Sequence, residues 1–259
     1  MDKLLDKIKK DFEEFSQRNK HIQDLIKKVD SGKATLSDID AIAKATGYAL
    51  KVAITKNIAD NAAAFADEET VAAILKETFK DNYEMINAIA QNVQKRLDEA
   101  AGINIKPQKA AFPTKRVKNL AKFVAGKDLT NDKVASEFGA AVENLNGSMY
   151  ADYVKANADF RSKAGLKVYV TRKSNGKCCE WCDKLLGKHV YPDVPKEVWQ
   201  RHKRCTCEIT YANEKSGTYD RIRYTDHAVR EKYETTKQVT RLTPEQAKQL
   251  QDKVLTKNK

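Results

Sequence analysis

Cysteine is missing from the first 177 residues of this chain and from everything after position 207. All five cysteines fall between Cys178 and Cys207. Chance rarely clusters a scarce residue so tightly, so a single shared task is the simplest reading. Long apolar runs are also missing. No stretch of about 18 apolar residues occurs, so no membrane span is expected. The start, Met1-Asp-Lys-Leu-Leu-Asp-Lys-Ile-Lys-Lys, mixes acid and base and lacks the apolar core of a signal peptide, so a cytosolic origin is expected. In a reducing cytosol, clustered cysteines bind metal or do redox work more often than they form structural disulfides.

The common catalytic signatures are absent too. There is no glycine-rich phosphate loop and no Gly-x-Ser-x-Gly elbow. A zinc deaminase needs His-x-Glu ahead of its Cys-x-x-Cys, and that pattern does not occur. Gly187-Lys-His189-Val-Tyr imitates the start of an HNH-type nuclease motif, but no partner histidine or asparagine follows at a convincing place. His189 and His227 stand alone and are expected to be ordinary surface or core residues. No internal repeat is visible. The chain is therefore not expected to be an enzyme.

What is present is helical periodicity, then a basic, cysteine-bearing end. Of 259 residues, 32 % are charged and the formal net charge is +12. Residues 161–259 hold 23 Lys and Arg against 12 Asp and Glu, so nearly all the excess lies in that part. Such a field favours nucleic acid or another polyanion, although a solubility surface would have the same composition.

Leu4, Leu5, Ile8, Phe12 and Phe15, then Ile22, Leu25, Ile26 and Val29, recur at helical steps up to the break at Asp30-Ser-Gly-Lys. A second helix is predicted from Leu36 to Ala64 with Thr35 as N-cap, and a third from Glu68 to Ala100, stopped by Gly102. Residues 103–113, with Pro107 and Pro113, read as a linker. A short basic helix near 115–124 and a long one from Asn131 to Phe160 follow, the latter expected to loosen at Asn146-Gly-Ser.

The texture changes at Gly165. Lys167–Arg172 reads as a strand, Ser174-Asn-Gly176 as a turn, Val190-Tyr191 as a short strand, Pro195–His202 as a short helix and Cys207–Tyr211 as a strand. The fold class is therefore α+β: a long helical N-terminal region followed by a small zinc-stapled α/β module. Three parts are expected: residues 1–160 as a helical bundle or arm, 161–214 as the cysteine-rich module, and 215–259 as a basic tail with a terminal helix from Thr243.

Within the module, Cys179-x-x-Cys182 is followed about 20 residues later by His202-x-x-Cys205-x-Cys207. Zinc takes four thiolate or imidazole ligands in a tetrahedron. Cys179, Cys182 and Cys207 are the leading three, with either Cys205 or His202 as the fourth. Cys205 and Cys207 alternate by two, so on a strand both sulfurs share a face. Cys178 is read as a bystander. Four protein ligands leave no open position, so the metal would be structural, supplying folding energy that a small module lacks. A Cys-x-x-Cys redox pair and a disulfide between the two halves are the alternatives. Trp181 and Trp199 are expected to cover the apolar side of the site. Arg201, Lys203 and Arg204, with Arg221, Arg223 and Arg230 further on, are candidate phosphate contacts, and Tyr219 and Tyr224 would allow base stacking.

Cys179-x-x-Cys182-x-x-Leu185-x-Gly187, a variable stretch with prolines, and His202-x-x-Cys205-x-Cys207 together resemble the C-terminal domain of the Mu F-like phage minor head proteins, also called head morphogenesis proteins. The motif covers about 30 residues, and the order of a long helical part followed by a small cysteine-bearing domain is similar as well. The resemblance implies a minor capsid protein of a tailed phage or prophage, made in the bacterial cytoplasm and carried in the virion head. It implies portal or other capsid proteins as partners, packaged double-stranded DNA as a possible contact, and a multimeric state in the particle. Some members carry a further toxin or transferase domain, but only about 45 residues follow the module ending at residue 214, too few for one. The competing reading is a zinc-stabilised nucleic-acid-binding protein, and after that a nuclease or thiol oxidoreductase.

Overall fold

Leu4 and Ile8 lie one helical turn apart, and α1 (Asp2–Ser16) turns both into the core. In this computed structural model, residues 2–174, 176, 178–202 and 205–214 are described. The terminal helix expected from Thr243 lies outside them. The periodic stretch through Val29 is two helices, α1 and α2 (Lys20–Asp30), with a corner at residues 17–19. The small polar side chains of Ser16 and Asn19 are wholly buried there, so the apolar stripe runs on across a bend that it does not report.

Helix α3 (Leu36–Lys56) begins at the expected cap. The Asp38 amide donates to Thr35 Oγ1 at 3.3 Å, and the Thr35 amide donates to Asp38 Oδ2 at 2.8 Å, a reciprocal capping box. The helix ends earlier than predicted. Asn57 Nδ2 donates to the Ala53 carbonyl at 2.8 Å, the acceptor its own backbone would use in a continuing helix. The Asn57 amide instead closes a tighter turn on the Ile54 carbonyl at 3.0 Å. The same side chain reaches Asp11 Oδ2 on α1 at 2.6 Å. A 3-10 turn (Ala59–Asn61) and the short α4 (Ala62–Ala66) lead into α5 (Glu68–Ala100), which Asp67 caps by accepting from the Thr70 amide.

The segment 103–113 has no regular structure, yet it is fixed along its length. The Ala110 amide donates to Asn87 Oδ1 on α5 at 3.0 Å. The backbone of Gln108 pairs on both sides with the Asn157 amide group of the long helix that follows, at 2.8 and 2.9 Å. Buried asparagines thus satisfy backbone groups that no sheet or helix would serve. Helices α6 (Thr114–Val124) and α7 (Asp132–Lys163) come next. No loosening occurs at Asn146, and α7 runs through it. Asn146 is wholly buried, donates to the Ala43 carbonyl at 2.7 Å and to Thr46 Oγ1 at 3.0 Å, and accepts from Asn82 at 2.9 Å. Opposite it is Gly47, where an added Cβ would lie 2.9 Å from Asn146 Cβ and from the Glu143 carbonyl. Helices α3 and α7 therefore meet at backbone distance.

After α7 the chain forms a three-stranded antiparallel sheet in the order β2-β1-β3: β1 (Val168–Lys173), β2 (Gly187–Val190) and β3 (Glu208–Asn213). A short α8 (Glu180–Asp183) lies between β1 and β2, and a 3-10 turn (Lys196–Trp199) lies between β2 and β3. The fold is α+β, mostly helical with a small sheet near the C-terminal end of the described residues. Val168 and Val170 of β1 with Ile209 and Tyr211 of β3 join the same apolar core as the long helices. Polar ties reinforce that seam. Tyr211 of β3 donates to Gln94 Oε1 on α5 at 2.7 Å, and its ring lies 5.6 Å from the Arg161 guanidinium of α7, which in turn holds Asp98 of α5 with both terminal nitrogens, one at 2.9 Å. No helix among the described residues is long and apolar enough to cross a membrane.

Candidate metal centre

Cys179 occupies the N-cap of α8, with extended backbone (φ −74°, ψ 162°), and its sulfur accepts from the Cys182 amide at 3.4 Å. This one-turn knuckle places two sulfurs on the same side. The second half arrives from the loop after the 3-10 turn, where the Cys205 amide closes a turn on the His202 carbonyl at 3.1 Å. His202 Nε2 lies 3.3 Å from Cys179 Sγ and 3.0 Å from Cys182 Sγ. Cys182 Sγ and Cys205 Sγ are 3.8 Å apart. Two thiolates on a tetrahedral zinc are separated by about 3.8 Å, given Zn–S near 2.3 Å.

The predicted ligands come together as two trios that share Cys182: Cys179, Cys182 and His202, then Cys182, Cys205 and Cys207, with ligand atoms in each trio within 4.8 Å of one another. These donor sets could hold a metal ion. Cys205 and Cys207 precede β3 rather than lying in it, but they keep the alternation expected of a strand. Both are buried while Thr206 between them is exposed. Cys178 stays outside both trios, with its sulfur 3.6 Å from Asp183 Oδ1. The cysteines are free thiols rather than disulfides.

Charge at the site is arranged unevenly. The hydrogen bond from the Cys207 side chain is the largest influence on Cys205 and outweighs burial; with Arg201 and Arg172 nearby, it brings the Cys205 thiol down to about 4. The same bond, followed by burial, pushes Cys207 far up. Burial first of all raises Cys182. The nearby Arg201 and Arg172 charges thus favour the thiolate form of Cys205.

Sequence reasoning passed over Arg172. This residue is wholly buried, and its Nη2 donates to Cys182 Sγ at 3.4 Å and Cys205 Sγ at 3.6 Å. Its Nη1 holds the carbonyls of Glu197, Val198 and Gln200 at 3.2, 2.6 and 2.8 Å. The one available signal was register: Arg172 continues the inward face of Val168 and Val170, where an unpaired arginine has no business unless a partner waits. Trp181 covers the outside, edge-on to His202 with centroids 5.7 Å apart and 5.4 Å from the Arg172 guanidinium.

Arg201 requires a correction. As a candidate phosphate contact it should face solvent, but its side chain is only 4 % exposed. It donates to Asp40 Oδ1 on α3 at 2.9 Å and to the Cys207 carbonyl at 3.0 Å, so a phosphate would have to break both bonds. Lys203, Arg204, Arg221, Arg223 and Arg230, together with Tyr219, Tyr224 and His227, lie outside the described residues. His189 sits on β2, 3.3 Å from the Leu185 carbonyl, and belongs to neither trio. Trp199 packs against the main apolar core, under Lys155 at 5.8 Å.

Comparison of the chain with protein-family models, curated proteins and solved structures finds no match.

Proposed function

We propose that the chain is a structural protein whose cysteine–histidine centre binds zinc, and that it serves as a minor head protein of a tailed phage or prophage. The observation that carries the metal reading is that donors from two separate loops gather in two trios that share Cys182. Cys179, Cys182, Cys205 and His202 form the preferred ligand set, because the distances of 3.0, 3.3 and 3.8 Å run among these four. Thiolate and imidazole donors suit zinc, and four of them leave no place for a reacting water. The metal would tie the knuckle to the loop before β3, next to the seam between sheet and helices.

The assignment to a phage head rests on the Cys-x-x-Cys-x-x-Leu-x-Gly and His-x-x-Cys-x-Cys residues, on their position after a long helical region, and on the basic charge of residues 161–259. In that role the helical part would engage the portal or capsid shell, and the basic end would lie against packaged double-stranded DNA. Protein purified under reducing conditions should contain about one zinc per chain by elemental analysis, in line with a single four-ligand site. It should also co-sediment with assembled heads or portals when expressed with its neighbouring genes. A folded, metal-free protein would overturn the zinc reading, and a protein that stays wholly soluble through head assembly would overturn the phage role.

A further inference from the structure

We infer that Arg172 is the built-in counter-cation of the metal centre, and that it selects a site of three thiolates and one imidazole. The inference rests on the zinc reading and goes beyond it. A guanidinium is charged at every accessible pH, and burying it is costly unless a negative group faces it. Arg172 is wholly buried, yet its hydrogen-bond acceptors are three carbonyls and two cysteine sulfurs, with no carboxylate of the described residues among them. The compensating charge must therefore come from the cluster. Zinc with three thiolates and a neutral imidazole carries one net negative charge, which Arg172 cancels. Four thiolates would leave one negative charge buried and unbalanced.

The geometry supports a positioning role as well. One guanidinium touches the knuckle through Cys182, the second loop through Cys205, and the turn leading to His202 through the carbonyls of residues 197, 198 and 200. Partners of metal ligands commonly orient them and tune their affinity.

Zinc affinity of the full chain, Arg172→Lys and Arg172→Met would be measured by competition with a chromophoric chelator under reducing conditions. Arg172→Met is expected to bind about 10–100-fold more weakly and Arg172→Lys to lose less, whereas Arg172→Met within about threefold of the parent overturns the inference. Zinc-loaded Arg172→Met should also lose its thiolates faster to iodoacetamide, because an uncompensated thiolate is the better nucleophile; an unchanged rate counts against the idea. Should that variant fail to fold, the parent protein decides. With NMR-active cadmium in the site and nitrogen-labelled arginine, the Arg172 guanidinium protons should show through-hydrogen-bond coupling to the metal. X-ray absorption on the zinc form should show three sulfurs and one nitrogen. Absence of the coupling, or four sulfurs, sinks the inference. A parent chain that takes up no metal sinks the zinc reading itself.

Discussion

Replacing Asp40 with alanine removes the carboxylate that clamps the cysteine-bearing loop to α3 through Arg201. The Asp40 and Arg201 side chains are 2 % and 4 % exposed, and their bond is 2.9 Å long. Asp40 also takes Lys44, whose ammonium in addition donates to the Thr206 carbonyl at 2.8 Å. Lys44 is 24 % exposed and can turn toward water, but Arg201 cannot. Leaving one member of a buried ion pair without its partner costs about 3–5 kcal/mol, a large share of the roughly 5–15 kcal/mol that holds a typical domain together. For a chain of this size the melting temperature should fall by roughly 6–20 °C. Because Arg201 also holds the Cys207 carbonyl and adjoins His202, zinc affinity should fall in parallel. The assay is thermal and urea unfolding followed by far-ultraviolet circular dichroism at fixed free zinc, since bound metal shifts apparent stability. Asp40→Leu with Arg201→Met should recover most of the loss, as replacing both members of a buried pair is often neutral. A loss below about 1 kcal/mol in Asp40→Ala would refute the reasoning, because that is the range of exposed pairs.

Gly47→Ala should destabilise by about 1–3 kcal/mol in urea unfolding, since the new methyl meets Asn146 and a backbone carbonyl at 2.9 Å. Gly139→Ala, where the new methyl meets only side-chain atoms, Lys51 Cγ at 3.0 Å and Thr55 Cγ2 at 3.1 Å, should cost less than Gly47→Ala and serves as the contrast. The Tyr150 hydroxyl is buried with no hydrogen-bond partner among the described residues, so Tyr150→Phe should gain about 1 kcal/mol at neutral pH. Burial, then the nearby negative charge of Asp40, raises the Tyr150 phenol well above its ordinary 10.0. A phenol raised in the folded state stabilises fully below its unfolded value and loses that contribution as pH rises past it. The parent should therefore weaken above pH 10 more steeply than Tyr150→Phe, in chemical denaturation across an alkaline series. Cys205→Ser should abolish zinc uptake while Cys207→Ser keeps it, read by metal content after dialysis. The reverse result would exchange their roles.

The long helices, the Thr35 cap and the α+β division were legible because each depends on neighbours within a few residues. Val71, Ile74, Leu75 and Phe79 form a stripe whatever packs on it, and all are buried on α5. Each half of the cysteine cluster was legible for the same reason, and the pairing of the halves followed from the ligand types a metal needs. The end of α3 at Asn57 was not, since it depends on Asp11, 46 positions away. Nor was the pinning of residues 108 and 110, which depends on Asn157 and Asn87. Arg201 looked like a surface cation because nothing nearby in sequence announces Asp40, 161 positions earlier. Periodicity reports which face is buried, while buried polar pairs report which distant elements meet, and a single chain shows only the first directly.

The order of the elements has a consequence for how the protein is made. A ribosome releases α1 through α7 before any residue of the cysteine cluster has emerged. The surface of α3 and α7 against which β3 rests can therefore be in place before β3 is synthesised, as chains commonly fold from their N-terminal side. On the proposed zinc reading, metal capture would fall last and act as a latch on a finished platform. A nascent chain arrested before Cys179 should already resist protease across its helices, and zinc in the medium should make no difference until His202 and Cys205 are exposed.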